Sequence, residues 1–149
     1  MNNGKESAMI ALLPMTTDWC KIDLPHMTLV YAGETKDLNP GEFNELAKDA
    51  ASIAMLSNPI TLQVLGKETF GNWSEKPEDM VDVFRLRPSS ELLGMRNLVE
   101  NWNESEHPFN PHVTIGPVGS AVEMAPVYLA FDRIMVGWGT EYLTFWLKR

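Results

Sequence analysis

The sequence is short of most features that would assign a class at once. It has a single cysteine, Cys20, so no internal disulfide can form, which suits a reducing compartment. No apolar run approaches the roughly 18 residues that span a bilayer, so no membrane partner is expected. The opening Met1-Asn2-Asn3-Gly4-Lys5-Glu6 lacks the basic-then-apolar pattern of a secretory leader. A cytoplasmic location is expected. Histidines number three, without His-x-x-x-His or Cys-x-x-Cys spacing, so neither a metal nor another cofactor is expected.

Positive charge is also scarce. Lys and Arg total 12 against 20 Asp and Glu, giving a net charge of −8. Binding to a duplex draws much of its affinity from neutralised phosphates, so long duplex DNA is an unfavourable partner. A small phosphorylated ligand remains accessible, because a few positioned donors in a pocket outweigh a diffuse field. A small nucleotide is therefore the expected partner, and short RNA stays open.

What is present reads as one domain over 1–149, with an ordinary 44% hydrophobic and 21% charged content. The run Ala8–Leu13, stopped by Pro14, predicts a strand, as does His26–Ala32 before Gly33. Asn39, Pro40 and Glu42 form a helix start, followed by Phe43, Leu46, Ala47, Ala50 and Ala54 at helical spacing. Further strands are predicted at Ile60–Leu65, Val81–Arg87, His112–Pro117, about Val127–Val136, and Tyr142–Leu147. Ser89 caps a second predicted helix with Leu92, Met95, Val99 and Trp102 on one face. The polar, turn-rich stretch Gly71–Asp79 is the expected join between two halves. Seven strands and two well-separated helices imply an α+β antiparallel sheet with helices on its outer face.

One pattern occurs twice. Pro25-His26-Met27-Thr28-Leu29-Val30 and Pro111-His112-Val113-Thr114-Ile115-Gly116 each open a strand, one in each half. Positions i and i+2 of a strand share a face, so each His and its Thr point one way while Met27, Leu29, Val113 and Ile115 point to the core. Imidazole titrates near neutrality, so one copy can accept a proton while the other donates one. Hydroxyls beside them can donate to the oxygens of a phosphodiester. A single His-x-Thr would be an ordinary structural pair; two copies in matching contexts point to catalysis by His26, Thr28, His112 and Thr114.

The paired motifs resemble the two-histidine (2H) phosphoesterase superfamily, which includes 2′-5′ RNA ligase-like enzymes. The resemblance covers most of the chain. It implies two pseudo-symmetric lobes around a central groove, here about 1–70 and 80–149 and intertwined. The implied activity is metal-independent cleavage of cyclic phosphates or short oligonucleotides. Compact phage relatives cleave the cyclic oligonucleotide messengers of bacterial immunity, and this chain is similar to them in size and acidity.

Strand parity nominates further groove residues. Phe84 and Leu86 read as core, which places Arg85, and less directly Arg87, on the groove side as a phosphate clamp. Leu143, Phe145 and Leu147 read as core, leaving Trp146 to stack on a base. Trp138, in a glycine-flanked turn, is expected as a lid or base platform, and Trp19 and Lys21 at the groove mouth. Tyr31 follows Leu29 in parity and reads as core, His107 as a solvated surface residue, and Cys20 as incidental. Two other readings stay open: an RNA-end enzyme acting on 2′-5′ or 2′,3′-cyclic termini, and a non-catalytic sponge for a cyclic nucleotide.

Overall fold

The computed structural model describes residues 6–71, 80–120 and 125–148, so the expected join lies outside the described residues beyond Gly71. The strands are β1 (Ser7–Pro14), β2 (Met27–Glu34), β3 (Ile60–Phe70), β4 (Val81–Leu86), β5 (His112–Pro117), β6 (Tyr128–Trp138) and β7 (Glu141–Trp146). Two α-helices, α1 (Pro40–Leu56) and α2 (Ser90–Val99), separate them. The expected α+β class is the observed one. β3 runs past the expected Leu65 because its second half, Gly66-Lys67-Glu68-Thr69, is exposed and carries no apolar alternation. Pairing with β4, rather than burial, makes that half a strand.

All pairings are antiparallel, in the order β2-β1-β6-β3-β4-β5, with β7 added to β6. β6 joins the sheet together. Its 131–138 stretch pairs β1, 128–131 pairs β3, and 133–138 pairs β7. The motif strands β2 and β5 end this order at opposite edges, yet they approach within 8 Å between Cα atoms. The sheet therefore curls until its edges meet, which brings the two halves of the duplicated pattern together.

Both helices begin as the sequence dictates. Asn39 Oδ1 accepts from the Glu42 N–H at 3.1 Å while Glu42 Oε1 accepts from the Asn39 N–H at 3.2 Å, a complete capping box with Pro40 at the first position. Ser89 Oγ accepts from the Leu92 N–H at 3.2 Å. Leu46, Ala50 and Ile53 of α1 and Leu92, Met95 and Val99 of α2 bury into a core with Ile10, Leu12, Met27, Val113 and Phe131 of the sheet. Trp102, just past α2, donates its indole N–H to Asp49 Oδ2 of α1 at 2.7 Å and ties the helices together. Among the described residues no helix is long and apolar enough to cross a membrane.

Two local features shape the far ends of the sheet. Gly139 has φ +66°, a left-handed conformation that lets a two-residue turn join β6 to β7. Asp82 of β4 is buried, and accepts from Thr69 Oγ1 at 2.8 Å, from the Gly119 N–H at 2.9 Å and from Lys67 Nζ at 3.5 Å. Chiefly the Thr69 bond holds its carboxyl below the usual range against the opposing cost of burial, with Gly119 and Lys67 adding to it. It fastens the chain after β5 to β3 and β4.

Candidate active site

His26 and His112 are held by one device. His26 Nδ1 lies 2.9 Å from the carbonyl of Leu24, and His112 Nδ1 lies 2.7 Å from the carbonyl of Asn110. A carbonyl oxygen only accepts, so each Nδ1 carries the hydrogen and each Nε2 is left as the unprotonated nitrogen of the neutral ring. A proline stands between acceptor and imidazole in both copies, Pro25 and Pro111. Proline fixes its own φ and keeps the residue before it extended, so the carbonyl two residues back is delivered to the ring by local chemistry alone.

Burial alternates as parity requires. Met27, Leu29, Val113 and Ile115 are core, while His26, Thr28, His112 and Thr114 are half-exposed on the other side. A cavity of about 960 Å³ opens on this side, between the two motif strands, β4, α2 and the segment 103–110. Thr28 and His112 line it; His26 and Thr114 stand two positions away on the same strand faces, outside its wall. The Thr28 hydroxyl has only a 3.9 Å contact to Met9 sulfur, a weak acceptor that leaves it able to turn toward a ligand. Phe70 packs edge-on to the His112 ring at 4.7 Å, which limits its rotation.

Arg85 sits opposite His112 in the β4–β5 register and lines the cavity. Its Nη1 donates to Glu68 at 2.8 Å, while its buried Nε has no hydrogen-bond partner among the described residues. Arg96 and His107 also line the cavity, and no carboxylate does among the described residues. In a chain of net charge −8, that is a local reversal of sign suited to an anion. No three His, Cys, Asp or Glu side chains gather as a metal set among the described residues.

The remaining nominated residues lie elsewhere. Trp19 is 3% exposed in the core, with its indole N–H donated to the Thr16 carbonyl at 2.7 Å and its ring edge-on to Phe84, so it does not line a groove mouth. Lys21 is exposed and outside the cavity wall; its main-chain N–H donates to the Ile115 carbonyl and pins the preceding segment to β5. Trp138 packs edge-on against Phe43 of α1 at 5.5 Å. β6 continues through it, so it shares the helix-side face with Ile134 and Val136 instead of capping a loop. Trp146 is 63% exposed and over the Arg133 guanidinium, and it borders a separate depression of about 540 Å³ with Met55 of α1 and Lys148, outside the first cavity.

Several lining residues escape sequence parity. β2 bulges at Leu29, since Ile10 pairs Val30 while Ala11 pairs Thr28. The extra residue shifts the alternation, so Tyr31 joins Thr28 on the cavity side instead of entering the core. His107 lines the cavity rim, with Ser105, Phe109 and Asn110 beside it. Their adjacency to Pro111-His112 in sequence is the available signal.

No family model matches the chain, and no curated protein does. Solved structures do match. The Thermus thermophilus protein TT0787 aligns with a TM-score of 0.63 and 13% identity, over 96% of this chain and 100% of that one. Usb1 of Kluyveromyces marxianus gives 0.62 and 13%, over 96% and 99%. E. coli LigT complexed with 3′-AMP gives 0.58 and 16%, over 97% and 99%. The fold is theirs.

Proposed function

We propose that this chain is a two-histidine phosphodiesterase that cleaves a small nucleotide without a metal, taking a cyclic oligonucleotide or a 2′,3′-cyclic phosphate. The observation that carries the reading is the repeated Pro-His-x-Thr strand start, which gives both imidazoles the same Nδ1–H anchor and the same bare Nε2 at the meeting edges of one sheet.

The chemistry follows from that pair. One Nε2 takes the proton from the attacking oxygen, a ribose 2′-hydroxyl or water, as its bond to phosphorus forms. The other imidazole, protonated at Nε2, gives its proton to the leaving oxygen as the old P–O bond breaks. The identical anchors make the pair interchangeable, so a two-step reaction can reverse their roles. Thr28 and Thr114 donate to the non-bridging oxygens, where charge accumulates. Arg85 supports the same phosphate, and its unpartnered Nε is a donor awaiting an acceptor. A cavity of about 960 Å³ with no carboxylate among its described lining residues suits a small polyanion better than an extended polymer.

The test is incubation with 2′,3′-cyclic mononucleotides and cyclic di- and trinucleotides in excess chelator, with products separated by chromatography. Cleavage of at least one class is expected. Recovery of every compound intact, with binding retained, would replace the enzyme with a sponge; activity lost to the chelator would replace the mechanism.

A further inference from the structure

We propose that the cavity holds a second phosphate subsite, centred on Arg96 of α2 and distinct from the one served by the two motifs. This inference rests on the functional reading above for the place of the first phosphate. The Arg96 side chain is only 12% exposed, yet it borders the cavity. Its Nε donates to the Leu29 carbonyl at 3.2 Å, and its guanidinium carbon lies 4.6 Å from the centre of the Phe109 ring. Its ion-pair partner is Glu100, 62% exposed and at 3.7 Å, longer than a charge-assisted hydrogen bond.

The guanidinium is largely buried, its carboxylate partner is exposed to solvent, and the charge borders the cavity. The segment beside it adds neutral donors. Ser105 Oγ accepts from the His107 N–H at 3.2 Å, which leaves its own hydroxyl hydrogen to give. Asn103 spends an amide N–H on the Ser105 carbonyl at 3.1 Å, fixing the turn that presents them. His107 completes the rim. These groups stand on α2 and the 103–110 segment, whereas the first phosphate is held from β2, β4 and β5.

The bulge places the two subsites side by side. Arg96 grips the carbonyl of Leu29, and Leu29 directly follows Thr28. Adjacent phosphate subsites call for a nucleoside between them, and Phe109, which lines the same cavity and packs on Arg96, is an aromatic surface available to its base. The ligand class is a nucleotide with phosphates on both sides of one sugar, as every residue of a cyclic oligonucleotide has.

Calorimetric binding of a nucleoside 3′-monophosphate, its 5′-monophosphate and its 3′,5′-bisphosphate tests this. The native protein is expected to bind the bisphosphate about tenfold more tightly than either monophosphate. Arg96→Gln is expected to remove most of that advantage while holding the weaker affinities within about twofold. His107→Gln, on the exposed rim, is expected to remove a smaller part without touching the fold. Equal affinity for one and two phosphates in the native protein overturns the second subsite alone. So does a uniform loss across all three ligands in Arg96→Gln, which would make Arg96 a support for β2. Failure of all three to bind the native protein overturns this subsite together with the functional reading.

Discussion

β2 and β5 both open on Pro-His-x-Thr, and both fix the imidazole through the carbonyl two residues back, at 2.9 Å and 2.7 Å. Their surroundings differ. On β5, His112 has Phe70 against its ring and Arg85 across the strand pair, and Asp82 anchors the chain that follows. On β2, Thr28 meets only a methionine sulfur, a bulge turns Tyr31 into the cavity, and Arg96 clips the bulged carbonyl. No second buried carboxylate ties β2 among the described residues. The two strands thus share the backbone device that orients the imidazole, while the side chains packed around it differ.

The most damaging substitutions should treat the two strands alike. His26→Ala and His112→Ala are each expected to lower kcat by about 10²–10⁴-fold, with unchanged circular dichroism. Turnover near native in either would break the equivalence. Arg85→Gln should lower kcat/KM by about ten- to a hundredfold, the weight of hydrogen bonds to a charged group, whereas Arg87→Gln should change it little. Equal effects from the two would remove Arg85 from the site.

Acid should separate the strands. The folded Asp82 carboxyl has its pKa lowered, so its contribution to stability is present above the unfolded value of about 3.9 and is lost as pH falls through the folded one. Amide exchange is therefore expected to accelerate in β5 before β2 on acidification, with a flatter response in Asp82→Asn. Simultaneous release in the native protein would contradict the asymmetry. The smallest effect belongs to Trp138→Phe, which should leave kcat/KM within about twofold and cost about 1 kcal/mol in thermal unfolding through weaker packing on Phe43.

Much of this arrangement is legible in the residues, for local reasons. Asn39-Pro40-x-Glu42 signals a helix start through bonds within four residues, and Pro-His-x-Thr before an apolar run signals both the strand and its inward face. Tyr31 departs from its expected place because a bulge is a property of two strands, and one strand's alternation cannot report it. Trp138 departs because glycine on each side suggests a turn, while pairing with Glu141 carries β6 through it. Arg96 gives no local signal, since an arginine on a helix is ordinary until the fold sets it against the carbonyl of a distant strand.

The central claim is an acid and a base supplied by two histidines, with no metal. It is met most directly by the pH dependence of kcat/KM for the cleaved nucleotide, measured in excess chelator. A bell with one ascending and one descending limb is expected, from one group that must be deprotonated and one that must be protonated. A single limb, or no turnover until a divalent cation is restored, would contradict it.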